Sequence, residues 1–257
     1  MALLDGVKAA SRQARSLRRA EHRPWPLPTE RWSHGQTWED VFFAHWRVPL
    51  EEVRHHVPHE LEVELHDGSA WVSIVPFRVA ALRMRGALPV PGISSFLELN
   101  VRTYVRTADE RPGVWFFSLD ASSRLATLGM RRIYHVPCFH ARMVLERAGG
   151  SGAARGEWRE AECARIGERG KVFSARYRPA GAVGRAEPGS LEWFLTERYR
   201  LFSTDGSAEI HHDRWLLSRA EAEIELTSIA PLALSGAPRC HFAFRQDALI
   251  WPPERVA

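Results

Sequence analysis

Apolar and polar residues alternate with period two along much of this chain. The clearest run is Phe96 to Arg106. Phe96, Glu98, Asn100, Arg102 and Tyr104 fall on one side, and Leu97, Leu99, Val101, Thr103 and Val105 on the other. Successive side chains of a strand point to opposite faces, so this run predicts a strand with one aliphatic face and one mostly polar face. Thr107 to Gly113 reads as a turn and Val114 to Leu119 as the returning strand, which together make a hairpin. Asp67-Gly68 within His66 to Ser69 predicts a second hairpin, between Leu61 to Leu65 and Ala70 to Ala80. Val41 to Val48, Arg131 to Leu145, Lys171 to Arg178, Glu209 to Trp215, Glu221 to Leu226, Cys240 to Phe244 and Ala248 to Trp251 read as further strands.

Helical signals are few. Residues 1–22 suit a short basic helix with a thin apolar stripe of Leu3, Leu4, Val7 and Leu17. Pro24-Trp25-Pro26-Leu27-Pro28 breaks it into an extended linker. Pro49 opens a short helix that ends before Pro58. Ser190 caps another through Leu191, Glu192 and Trp193. Gly149-Gly150-Ser151-Gly152 reads as a turn, and residues 179–190 as an irregular loop rich in Gly and Pro. Many short strands with few helices predict a mainly β fold, an antiparallel β-barrel, cone or curled sheet. The expected organisation is a basic arm and linker over residues 1–28, then a single β-rich domain over 29–257.

Composition narrows the class. The chain has 257 residues, 45% hydrophobic and 26% charged, which is ordinary for a folded domain. No apolar stretch approaches the ~20 residues that span a bilayer, and the N-terminus lacks a secretory pattern, so no membrane role is expected. Three cysteines without a CxxC pair do not make a disulfide framework and suit a reducing cytoplasm. Net charge is only +4, and basic residues concentrate at Arg12, Arg15, Arg18 and Arg19. With no recognition motif beside them, no nucleic-acid partner is expected. A homo-oligomer is left open.

The polar face of residues 96–104 admits two arrangements. It lines the interior of a closed sheet, or it is the wet outer face of an open one. The first arrangement puts Glu98, Asn100, Arg102 and Tyr104 around one pocket. Glu98 and Arg102 then read either as an acid/base beside a carboxylate-holding guanidinium or as a structural ion pair. Tyr134, Cys138 and His140 share one face if residues 131–145 are extended. A Cys–His pair can serve as nucleophile and base, but cysteine is also a common buried residue. His55, His56 and His59 have Pro58 among them, and His211 and His212 point to opposite faces of a strand. No metal site and no cofactor are expected. P-loop, GxGxxG and GxSxG signatures are absent.

The strings FAHWRVP (43–49), FLELNVRTYV (96–105), GVWFFSLDA (113–121), RRIYHVPCF (131–139), FLTERY (194–199) and HHDRW (211–215) resemble the YqjF-like family of uncharacterised proteins. The likeness runs from about Pro24 to Pro252. That family is similar in turn to the acetoacetate decarboxylase-like superfamily. The resemblance implies a mostly antiparallel β-cone with a central pocket, lined by Glu98, Asn100, Arg102, Tyr104, Arg132, Tyr134, Cys138 and His140. It places the decarboxylase's pocket glutamate at Glu98. The decarboxylase motif has Arg-Glu-Ile, an aromatic residue and Gly, then Pro-Lys-Lys. Here Arg131, Ile133, Tyr134 and Pro137 match, Arg132 replaces the glutamate and His135 the glycine. The two lysines fall on Cys138 and Phe139. An imine-forming amine is the electron sink of that reaction, and neither replacement supplies one. The expected function is a small-molecule pocket protein without imine chemistry that binds a small carboxylate or carbonyl compound. Two alternatives stand beside it: a lyase or hydratase with Glu98 as acid/base, and a non-catalytic sensor or protein-interaction module.

Overall fold

The computed structural model describes residues 2–147, 157–204 and 206–254. The expected turn at 149–152 lies outside the described residues. The frame is a run of antiparallel neighbours. Strand β1 (His34–Val48) pairs with β12 (Arg239–Ile250) on one edge and β3 (Ala70–Met84) on the other. Next to β3 lies β4 (Phe96–Arg106), and next to β4 lies β5 (Pro112–Ala121), as the hairpin predicted across Thr107 to Gly113 requires.

Two closures share this frame. In the smaller, Val114 and Trp115 of β5 pair in parallel with β9 (Arg200–Ser203). β9 pairs with β10 (Gly206–His212), and β10 returns to β12 through Ile210 opposite Ile250, His211 opposite Leu249 and His212 opposite Ala248. In the larger, the far end of β5 pairs with β6 (Cys138–Arg147). β7 (Arg159–Arg165), β8 (Val172–Gly184) and β11 (Leu217–Leu226) then lead back to β12. The fold is therefore mainly β, as expected, a curled sheet whose two closures share strands.

Each face of the shared strands fills one ring. Leu99, Val101 and Val105, from the aliphatic side of β4, pack with Phe42, Phe173 and Tyr177 in the larger ring. Tyr104 joins Val114, Phe116, Leu119, Ile210 and Ile250 in the smaller. Two bulges change which residues face inward. Arg102 lies opposite Phe116 while Val101 lies opposite Ser118, so Phe117 is an extra residue in β5. Phe116 and Leu119, three apart, thereby share a face. In β1, Asp40 has φ +50° and marks a similar shift, a conformation that Asp tolerates better than most residues.

Local expectations failed at three places. Arg131 to Leu145 is not one strand. Its first residues end helix α3 (Arg124–Ile133), whose start is capped by Ser123 Oγ accepting from Ala126 N at 3.3 Å. His135 has φ +53° and Pro137 follows, so the strand begins only at Cys138. The Asp67-Gly68 turn forms, with φ +50° and +72°, and closes an antiparallel bridge between His66 and Ser69, but the pairing runs no further. β2 (Glu62–Val63) pairs with β4, further along the edge that β3 occupies. Residues 179–184, read as loop, extend β8 because β11 supplies partners that local propensity cannot reveal. The short helices α2 (Leu50–Arg54) and α4 (Leu191–Thr196) stand where Pro49 and Ser190 predicted them, and Ser190 Oγ accepts from Trp193 N at 3.2 Å.

The basic arm is built into the fold. Helix α1 (Ala2–Ser16) buries Gln13, which accepts from Arg83 Nε at 2.7 Å and donates to Thr37 Oγ1 at 3.3 Å. Arg12 pairs with Asp247 at 3.1 Å and Arg19 with Asp213 at 2.5 Å. Beyond the helix, Arg23 Nη2 donates to Glu209 at 2.7 Å and Nη1 to Ile210 O at 2.6 Å, with the pair almost wholly buried. The arm thus clasps the outer face of β10, the strand that closes the smaller ring. Among the described residues no helix is long and apolar enough to cross a membrane. Breaking one partner of a buried ion pair costs about 3–5 kcal/mol. Arg23→Ala is expected to lose that much stability in urea unfolding, and a loss under about 1 kcal/mol would show that the arm does not hold β10.

Candidate functional site

The smaller ring encloses a cavity with about 80 Å³ open to the centres of water-sized molecules. Every strand of that ring contributes to its wall. β4 supplies Glu98, Asn100 and Arg102; β1 supplies His34, Gln36 and Trp38; β5 supplies Val114, Phe116 and Leu119. Phe77, Leu201, Ile210, His212 and Ile250 come from the others. Met130 and Tyr134, at the end of α3, and Thr196, Arg198 and Trp215 complete it.

Glu98 is buried, with no donor among the described residues reaching its carboxyl. Desolvation alone pushes its pKa up to about 8, so the group is mostly neutral at pH 7. Arg102 forms no ion pair among the described residues. Its Nη2 makes a long contact, 3.4 Å to Leu195 O, the Tyr104 hydroxyl lies beside it, and its Nε has no partner. The Glu98–Arg102 ion pair that strand spacing allowed is therefore not made. Four residues apart on a strand is ~13 Å, too far for side chains that project in parallel. Burial lowers the Arg102 pKa; the Tyr104 hydroxyl beside it opposes this, and neighbouring Arg198 adds to the lowering. Arg198 differs because Glu64 pairs with it and Phe194 lies 4.4 Å from its guanidinium. Asn100 Oδ1 is buried without a partner.

The other expected lining residues separate. Tyr134 lies on the cavity wall. Tyr104 is on the same side of β4 but fully buried behind that wall. Its hydroxyl sits 2.6 Å from Ser73 Oγ and donates to Leu195 O at 3.0 Å, because α4 packs over that end of the strand. Cys138 is fully buried on the cavity side yet does not reach the lining. Desolvation, with Glu98 nearby, pushes its pKa up to about 12, which leaves the thiol protonated and a poor nucleophile. His140 is two residues further along β6 and also off the wall. Arg132 is exposed on α3, since the segment is helical there. His55, His56 and His59 are exposed, and the described residues hold no group of His, Cys, Asp or Glu suited to a metal.

Sequence reasoning missed His34, Gln36, Trp38 and Arg198, and left open which of His211 and His212 faces inward. His34, Gln36 and Trp38 alternate as the β4 residues do, but Gly35 and Asp40 obscured the strand. His212 faces the cavity while His211 faces outward to Ser16 O at 2.9 Å, as opposite strand faces require. Neither of the chain's lysines lines the cavity: Lys171 Nζ donates to Ala230 O at 3.2 Å, and Lys8 lies on α1.

A family model described as an uncharacterized conserved protein, DUF2071, matches residues 35–247. The chain belongs to this family. It is 42% identical over 234 residues to the uncharacterized protein YqjF of Bacillus subtilis (strain 168), covering 88% of this chain and 93% of that protein. Among solved structures it resembles the enduracididine biosynthesis enzyme MppR complexed with pyruvate, with a TM-score of 0.64 at 12% identity over 91% of this chain and 93% of that one. An acetoacetate decarboxylase-like enzyme from Sphingomonas wittichii RW1 gives a TM-score of 0.62 at 16% identity, covering 91% and 97%. The acetoacetate decarboxylase of Legionella pneumophila subsp. pneumophila str. Philadelphia 1 gives 0.60 at 13%, covering 93% and 94%. At these identities the likeness establishes an acetoacetate decarboxylase-like fold.

Two expectations follow. Folded Glu98 holds a proton that the unfolded chain, with a carboxyl near 4.5, has already released. The stability this contributes is complete below the unfolded value and lost as pH rises through about 8. Urea unfolding between about pH 5 and 8 is expected to show the native chain losing stability relative to Glu98→Gln; a constant difference would assign Glu98 an ordinary pKa. Borohydride added with acetoacetate or pyruvate is expected to leave the protein mass unchanged, whereas a reduced adduct on Lys171 would restore imine chemistry.

Proposed function

We propose that this protein binds a small carboxylate in the cavity of the smaller ring, with Arg102 holding the carboxylate and Glu98 acting on the remainder as an acid or base. The observation that carries this reading is Arg102. A guanidinium removed from water without an anion is costly. Arg102 faces a cavity, has an unpartnered Nε and lacks a carboxylate partner among the described residues. A bound anion supplies the missing charge, and the planar fork of arginine suits a carboxylate.

The remaining features favour a small ligand. Space of about 80 Å³ takes roughly half a dozen water-sized groups at ~10–15 Å³ each, the scale of a three- or four-carbon acid. Leu119, Ile210, Ile250 and Phe116 offer an apolar wall for its carbon chain. Glu98, with a pKa of about 8, can deliver a proton near neutral pH, where a general acid is most effective. Of the structural neighbours, MppR is complexed with pyruvate, an acid of this size. Without a lysine at the cavity, the chemistry on such a ligand is proton transfer, of the lyase or hydratase kind, and not decarboxylation through an imine.

Thermal unfolding with pyruvate, propionate and lactate tests this reading. At 100 times Kd a ligand adds ~2.7 kcal/mol, which raises Tm by roughly 5–10 °C in a chain of this size. Arg102→Gln is expected to abolish the rise, while Glu98→Gln keeps it. No rise with any small acid, or an undiminished rise in Arg102→Gln, would overturn the carboxylate site.

A further inference from the structure

Polar groups on the β1 side of the cavity form a chain whose direction can be worked out from one end. Trp38 Nε1 lies 3.0 Å from Gln36 Oε1. An indole N–H only donates, so the amide atom facing it is the oxygen. Gln36 therefore turns its NH₂ the other way, to His34 Nε2 at 3.4 Å. An amide NH₂ only donates, so His34 Nε2 is the acceptor and carries no proton. Burial keeps the imidazole neutral near pH 7, with its pKa lowered to about 4. A neutral ring holds one proton, and it is then on Nδ1.

His34 Nδ1 has two oxygens before it, Ser33 Oγ at 3.0 Å and Tyr134 Oη at 3.1 Å. Both must accept. Ser33 spends its own proton on Ile250 O at 2.9 Å. Tyr134 accepts from His34, and its O–H is left to donate. The protein acceptors within reach are poor: Ser33 Oγ at 3.4 Å and Trp251 O at 3.5 Å, against ~2.7–2.8 Å for a good O–H···O bond. The phenol sits on the cavity wall with His34, Gln36 and Trp38.

We propose that this one-way chain makes the Tyr134 hydroxyl a hydrogen-bond donor to an oxygen of the bound ligand other than its carboxylate. The ligand class is thereby narrowed to small acids bearing a second acceptor oxygen, a carbonyl or a hydroxyl. Tyr134 contacts and polarises that oxygen; Trp38, Gln36 and His34 are positioning residues that fix which way the phenol points. The ligand contact rests on the carboxylate reading above, whereas the direction of the chain does not.

Histidine-labelled protein without ligand tests the direction. Ring nitrogen and carbon NMR shifts of His34, assigned by their loss in His34→Asn, are expected to report the Nδ1–H tautomer in the native chain and a mixture in Trp38→Phe. The Nε2–H tautomer in the native chain would overturn the proposal. Binding of pyruvate against propionate, read by calorimetry, tests the ligand contact. Pyruvate is expected to bind more tightly, and Tyr134→Phe to lose roughly three- to tenfold for pyruvate with propionate unchanged. Equal losses for both acids, or a preference that survives in Tyr134→Phe, would refute the donor role. If the native chain binds neither acid, the carboxylate reading fails and the ligand contact falls with it, even where the tautomer is as expected.

Discussion

Closure of the smaller ring at β10 and β12 is the constraint on which the site depends. Where Ile210, His211 and His212 lie opposite Ile250, Leu249 and Ala248, the sheet acquires an inside. Without that seam the polar face of β4 would be wet, and Glu98 and Arg102 would be ordinary surface charges. With it, they lose water and gain no mutual partner. Their abnormal protonation energetics are chiefly a consequence of topology, since burial is the first cause for both, with Tyr104 and Arg198 as smaller influences on Arg102.

The seam is held from outside by chain that precedes the barrel. Arg23 bonds to Glu209 and to Ile210 O, Trp25 Nε1 donates to Glu209 at 2.9 Å, and His22 Nε2 meets His212 O at 2.8 Å. Residues alternating along β10 therefore serve two purposes. Glu209 and His211 receive the arm, and Ile210 and His212 line the cavity. A basic N-terminal segment that looks ready for an anionic partner finds many of its anions within the same chain.

The cavity wall divides its polar groups by direction. On the β4 side the groups have spare capacity among the described residues: a mostly neutral carboxyl, a guanidinium without a carboxylate and an amide oxygen without a donor. On the β1 side each donor is matched to an acceptor until the last hydroxyl. An orderly chain on one wall and unmet demand on the other suit a ligand that is held by its charge and read by its second oxygen. An apolar core would leave no such imbalance, because buried polar atoms are ordinarily satisfied.

The sequence by itself determined the period of β4, its two faces, the hairpin to β5 and the short helices opened by Pro49 and Ser190. These depend on neighbours in the chain, which the residue pattern carries directly. It also determined the family resemblance and the absence of a lysine where a decarboxylase has one. Tertiary structure alone decided which polar residues share the hollow. The bulges at Phe117 and Asp40 reset the inward face, α3 carried Arg132 outward while leaving Tyr134 on the wall, and α4 sealed Tyr104 away. β2 went to β4 and β8 lengthened against β11 because their hydrogen-bond partners are distant in sequence. Periodicity tells which side chains share a face of one strand; which faces meet is set by pairings and bulges that no local pattern encodes.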